Sequence, residues 1–180
     1  MTDGLVKALT TTLLEDANLG TAILRDDLGG HGSAADHGTA DLGAALARDE
    51  QDNEFWHLLI MEEFLEKTGY KRRWFFDRVV PQVMSFLYYH LSWMLYVVHP
   101  KWSYRLNSDF EDHALRQYSL FVAEHPEFDE TPWESEYKGD YGHHVTIGDL
   151  LRQIAWDEEQ HKMHSEEYIR RGARFSRKRG

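Results

Sequence analysis

The stretch Thr146-Ile147-Gly148-Asp149-Leu150-Leu151-Arg152-Gln153-Ile154-Ala155-Trp156-Asp157-Glu158-Glu159-Gln160-His161 decides the fold. Ile147, Leu150, Leu151 and Ile154 recur at spacings of three and four, the period at which side chains return to one face of an α-helix. The next members of that stripe are Glu158 and His161, so a face that begins as core continues with a carboxylate and an imidazole. The spacing predicts a helix from Thr146 to about Arg171. A second stretch repeats the arrangement, with Ala47, Glu50, Glu54, His57, Leu58 and Met61 along one side of a helix from Thr39 to about Lys67. Thr68-Gly69 ends it, where glycine can take the left-handed conformation.

Outward from these two helices the rest of the chain is also helical in period. Leu5, Leu9, Leu13 and Leu14 predict a first helix over about 3–26, followed by a glycine-rich loop over 29–38. A third helix is expected from Trp74 to Val98, kinked at Pro81 and stopped before Pro100. A fourth is expected from Lys101 to His125, ended by Pro126. Residues 126–145 read as an acidic connector and 172–180 as a basic tail. Five helices and no convincing strand make an all-α bundle. At 180 residues the chain is long enough for one core and too short for two, so a single domain over 1–180 is expected.

Cysteine is absent, which excludes disulfides, thiolate zinc sites, iron–sulfur clusters and cysteine nucleophiles. Any metal must sit on nitrogen and oxygen. A formal charge of −11 argues against general nucleic-acid binding. Arg170, Arg171, Arg174, Arg177, Lys178 and Arg179 crowd the C-terminus, either as a solvated tail or as a contact for anionic lipid headgroups. No apolar run is long enough to span a membrane and no signal-peptide pattern opens the sequence, so the chain is expected to begin near its folded start.

The two Glu-x-x-His pairs carry the chemistry. Residues three apart point the same way on a helix and can chelate one ion or two adjacent ones. Both pairs fall where a buried charge costs several kcal/mol unless it is paired or bound to metal. A two-metal bundle site needs one further Glu from each of two other helices. Glu111, in line with Tyr104, Asn107, Ala114, Leu115 and Tyr118, is one candidate; Glu15, in line with Ala8, Thr11, Thr12, Leu19 and Ala22, is the other. On pattern alone Glu15 and Glu111 can also be read as solvated or salt-bridged surface acids. Four carboxylates balance two divalent ions, and hard oxygen donors with two imidazoles suit iron or manganese better than copper or zinc.

Asn53-Glu54-Phe55-Trp56-His57-Leu58 resembles the Asn-Glu-x-x-His-Leu motif of the alternative oxidases, and more closely that of their plastid terminal oxidase branch. Trp74-Phe75-Phe76-Asp77-Arg78, His99-Pro100-Lys101, Glu111-Asp112-His113-Ala114, Asp157-Glu158-Glu159-Gln160-His161 and Leu14-Glu15 are similar to the same family, over about residues 10–168. The resemblance implies a ferritin-like four-helix bundle with an additional aromatic-rich helix. It also implies a membrane-associated enzyme that oxidises quinol, ubiquinol or plastoquinol, and reduces O₂ to water at two iron ions without pumping protons. Glu15, Glu54, His57, Glu111, Glu158 and His161 fill the family's ligand positions. Tyr118 would be its redox-active tyrosine, and Asn53 and Asp157 would hold the ligands by hydrogen bonds. A quinone-ring hydroxylase or a ferritin-like iron oxidase on the same scaffold is the alternative.

The sequence departs from the family near the substrate: Ala155 and Thr10 stand where it has arginines, and Asp16 where it has threonine. The third helix carries Phe75, Phe76, Phe86, Tyr88, Tyr89, Trp93 and Tyr96, while Asp77, Arg78 and His90 make spanning unfavourable. That load suits a peripheral, monotopic contact with the cytoplasmic or stromal face of a membrane, in the monomer or around a homodimer; a fully buried central helix would look similar.

Overall fold

The computed structural model describes residues 34–175, with side-chain surroundings from residue 49 to residue 171. The expected first helix, and Glu15 with it, lies outside the described residues. Helix α1 runs Ala34–Lys67. It starts five residues before Thr39, because Ala34 and Ala35 are strong helix formers and one internal Gly38 costs only about 1 kcal/mol. Its end is as expected: Gly69 takes φ +67°. The Gly69 N–H donates to the Glu66 carbonyl and the Tyr70 N–H to the Leu65 carbonyl, both at 3.0 Å, which satisfies carbonyls the helix leaves open.

The expected kink at Pro81 takes another form. Residues Phe75–Val79 make a single π-helical turn, and helix α2, Val80–Val98, begins after it with Pro81 in its first turn, where the missing N–H does little harm. Asp77 anchors the turn. Its carboxylate accepts from the Arg73 N–H at 2.5 Å and from the Tyr70 hydroxyl at 2.9 Å. Burial works against the charge, but these donors and the Arg73 guanidinium hold the carboxyl below its usual range. His99 is extended, as a residue before proline prefers, and Pro100 opens helix α3, Pro100–Glu124. Helix α4, Ile147–Phe175, runs past the Arg171 expected as its end, so the first residues of the expected basic tail are helical. The Thr146 hydroxyl accepts from the Asp149 N–H at 3.0 Å and caps its first turn.

Ile60, Met61, Phe64 and Leu65 of α1, Ala114, Tyr118 and Phe121 of α3, and Ile147, Leu150, Leu151 and Ile154 of α4 form one buried core. Burying each larger side chain contributes about 1.5–3 kcal/mol. The fold is the all-α bundle that the periodicity predicts, with no strand among the described residues. Helix α2 packs on α3 along a narrow stripe. Tyr88 meets Phe110 with ring centroids 4.4 Å apart, and the Ser92 and Ser103 hydroxyls lie 2.8 Å apart. Pro81, Tyr88 and Ser92 are the buried residues of α2.

Residues 126–145 are more than an acidic connector. Phe128, Trp133 and Ser135 are buried, and Phe128 and Trp133 close the core at Phe64. The Trp133 N–H donates to the Val145 carbonyl and the Ile147 N–H to the Thr131 carbonyl, each at 3.0 Å, so the segment folds back on the start of α4. Glu63 of α1 holds its middle. That carboxylate accepts from the Ser135 hydroxyl at 2.6 Å, the Glu136 N–H at 3.0 Å and the Lys67 ammonium at 2.7 Å.

Candidate metal centre

One layer beyond the apolar core the same three helix faces turn polar. Glu54 and His57 of α1, Glu111 of α3, and Glu158 and His161 of α4 are all buried, the most exposed at 5%. Glu54, Glu111, Glu158 and His161 each offer a ligand atom within 4.8 Å of the others. The His57 Nδ1 joins them, 3.2 Å from a Glu158 oxygen and 3.5 Å from a Glu54 oxygen. The His161 Nδ1 lies 2.8 Å from the other Glu54 oxygen. Helical periodicity alone brings this about: the Glu-x-x-His pairs sit on the inward faces of α1 and α4, and Glu111 lies on the Asn107–Ala114–Tyr118 stripe of α3.

A second ring of side chains orients the first. The His57 Nε2 is 3.2 Å from Asp157 Oδ2 and 3.1 Å from the Tyr141 hydroxyl oxygen. The Tyr141 hydroxyl donates to the same Asp157 oxygen at 2.6 Å. With Asp157 and Tyr141 both at Nε2, a proton is held on that nitrogen, and the Nδ1 proton is the one a metal ion would displace to take up the lone pair. Asn53 and Gln153 donate to Asp157 at 3.3 and 2.9 Å. On the opposite side the Asn107 amide donates to Glu111 at 3.0 Å and to the Ser165 hydroxyl at 2.8 Å.

The electrostatics are those of crowded carboxylates and imidazoles that hold protons where a cation could sit. Burial pushes Glu111 up to about 7. Burial, with the neighbouring Glu54 and Glu111 charges, lifts Glu158 well above the carboxylate range. Glu54 alone is held low, at about 2, since His57 and His161 outweigh its burial. The side-chain atoms Oε1 and Oε2 of Glu54, Oε2 of Glu111, both carboxylate oxygens of Glu158, and Nδ1 of His57 and of His161 are buried without a hydrogen-bond partner. Buried polar atoms are almost always satisfied, and each one left unmade costs about 1–3 kcal/mol. These converge on one another, and a metal ion satisfies them together. The residues present therefore fit a metal centre of oxygen and imidazole donors.

Of the sequence-predicted residues, Glu54, His57, Glu111, Glu158 and His161 come together, with Asn53 and Asp157 hydrogen-bonded behind them. Glu15 lies outside the described residues. Tyr118 is fully buried in the apolar core, two turns along α3 from Glu111. Ala155, where the resembled family has arginine, is buried in the same core. Sequence reasoning missed Tyr141. Its signal was Trp133, Tyr137 and Tyr141, aromatics at spacings of four within a polar stretch.

The sequence model of the family described as Alternative oxidase matches residues 42–168, well over half the chain. Ubiquinol oxidase 4, chloroplastic/chromoplastic, of Arabidopsis thaliana is 36% identical over 73 residues, which cover 41% of this chain and 19% of that protein. The match thus spans about a fifth of the relative's length. No solved structure gives a significant match.

Proposed function

The chain belongs to the alternative oxidase family, and from that membership we propose that it is a quinol:O₂ oxidoreductase working at a di-iron centre. The observation that carries the reading is the convergence of unpartnered carboxylate and imidazole atoms from α1, α3 and α4 in a buried site. Glu54, His57, Glu111, Glu158 and His161 would hold the metal, with Glu15 supplying the fourth carboxylate. Bound iron supplies the one-electron steps and the affinity for O₂. Two quinols give up four electrons and four protons, which balance the reduction of one O₂ to two waters.

The chain's own residues set the conditions. Asp157 and Tyr141 fix the orientation and protonation of His57, and Asn107 fixes Glu111. Tyr118 supplies an oxidisable phenol inside the dry core. Contact with a membrane, where a quinol dissolves, falls to α2 and the turn before it. Trp74, Phe76, Phe86, Val97 and Val98 are exposed there, and no helix among the described residues is long and apolar enough to cross a membrane. The name of the plant relative supports a ubiquinol-type substrate.

The test is O₂ uptake by the iron-loaded protein with short-chain quinols and no other reductant, wild type against Tyr118→Phe. Quinol-dependent uptake that resists cyanide, and that falls at least tenfold in the variant while its iron content holds, is the expected result. The absence of uptake with several quinols would overturn the oxidase reading, and full activity in the variant would leave Tyr118 a packing residue.

A further inference from the structure

One Glu–His pair beside the cluster takes no part in the Asn53, Tyr141 and Asp157 network. Glu50 stands one helical turn before Glu54 on α1, and His164 stands one turn after His161 on α4. The His164 Nδ1 is 2.6 Å from a Glu50 oxygen. One turn further in, the His161 Nδ1 is 2.8 Å from a Glu54 oxygen. The same two helices are thus bridged twice in succession by a carboxylate and an imidazole.

The two bridges differ in depth. His164 is 37% exposed and Glu50 is 14% exposed, whereas Glu54 is fully buried and His161 nearly so. Exposure falls step by step from the surface to the cluster along a single line of metal-type donors.

We propose that Glu50 and His164 form an outer docking pair for a divalent metal ion on its way into the buried centre. The inference rests on the metal-centre reading above. A carboxylate oxygen and an imidazole nitrogen already in contact can exchange their hydrogen bond for a shared cation with small side-chain rotations. Two protein donors, with water completing the shell, hold such an ion weakly, as a transit site requires. The next donors, Glu54 Oε1 and His161 Nδ1, lie one turn inward, about 5.4 Å along the helices, and face each other at 2.8 Å. A carboxylate at Glu50, nearer the surface than the cluster, raises the local cation concentration.

The experiment mixes metal-free protein rapidly with cobalt(II), follows uptake by the d–d absorption of the bound ion, and measures final metal content by elemental analysis. Glu50→Gln removes the charge. His164→Gln keeps a hydrogen bond to Glu50 but supplies a poor ligand, so a purely structural pair would tolerate it. Each variant is expected to load about tenfold more slowly, Glu50→Gln because one charge near a site changes on-rates on that scale and His164→Gln because one of the two donors is gone, and to reach the wild-type metal content. Wild-type loading rates in both variants would overturn the proposal. A lowered final content in either would do so as well, by making the pair part of the centre itself. A wild type that takes up no cobalt would overturn the metal-centre reading, and the docking pair with it.

Discussion

His57 is held at Nε2 by Asp157 and Tyr141, which turns its Nδ1 toward Glu54 and Glu158. A metal-binding imidazole depends on the partner of its other nitrogen for orientation and basicity. Tyr141→Phe removes one such partner and also leaves Asp157 short of a donor. The expected result is an intact fold and a metal affinity lower by about 10–100-fold, measured by titration against a competing chelator. Wild-type affinity would show that Asp157 alone orients His57. Glu54 with His57 and Glu158 with His161 were legible in the sequence because ligands on one helix obey a fixed spacing, whereas Glu111, alone on its helix, needed the family resemblance to separate it from a surface acid. Tyr141 was not legible, since it reaches His57 from a non-helical segment, where the spacing of four from Trp133 and Tyr137 does not fix a common face.

Among the elements, α2 is the one whose exposed surface is hardest to explain in water. Its contact with α3 needs only Tyr88, Ser92 and their neighbours, and most of its apolar side chains are left uncovered. The sequence showed an aromatic helix but could not separate a buried central element from a surface one, because both carry the same composition. The fold decides this in favour of exposure, and a lipid interface follows as the proposed surroundings. Trp74→Ser with Phe86→Ser, both exposed and away from the core, is expected to lower binding to liposomes several-fold and leave the melting temperature within about 2 °C, as surface changes do. Equal sedimentation of variant and wild type with vesicles would remove α2 from the membrane contact. The π-turn before α2 was foreseen only as a kink at Pro81; an extra residue within a helical turn leaves no mark on hydrophobic spacing.

At the scale of the molecule, the buried cluster ties stability to pH and metal. Without metal, the folded protein holds the Glu111 proton up to about pH 7, against an ordinary value of 4.5, so stability declines as pH rises through that window. Burial opposes charge on His161, yet Glu54 lifts it to about 9. The stability it contributes is complete below its ordinary 6.5 and is lost as pH rises through 9. The two slopes share a sign, and the melting temperature of the metal-free protein is expected to fall between about pH 5 and pH 9. Metal displaces those protons, so the stabilisation it brings should grow over the same range. Calorimetry of both forms across pH checks this; a metal-independent melting curve would count against a cation inside the core.

The seat of residues 126–145 on Glu63 has a consequence for how solvent reaches this interior. Amides deep in α3 and α4 exchange with deuterium only when the bundle as a whole comes apart, whereas the part of the segment beyond the buried Trp133, held by the Glu63 carboxylate, a few backbone bonds and the Tyr141–Asp157 hydrogen bond, opens by itself at lower free energy. Tyr141 rides on that segment. Access of water to His57 is therefore timed by a local opening of the segment, and weakening its seat with Glu63→Gln should hasten deuterium uptake over 131–145 while the protected helices keep their own slow pace.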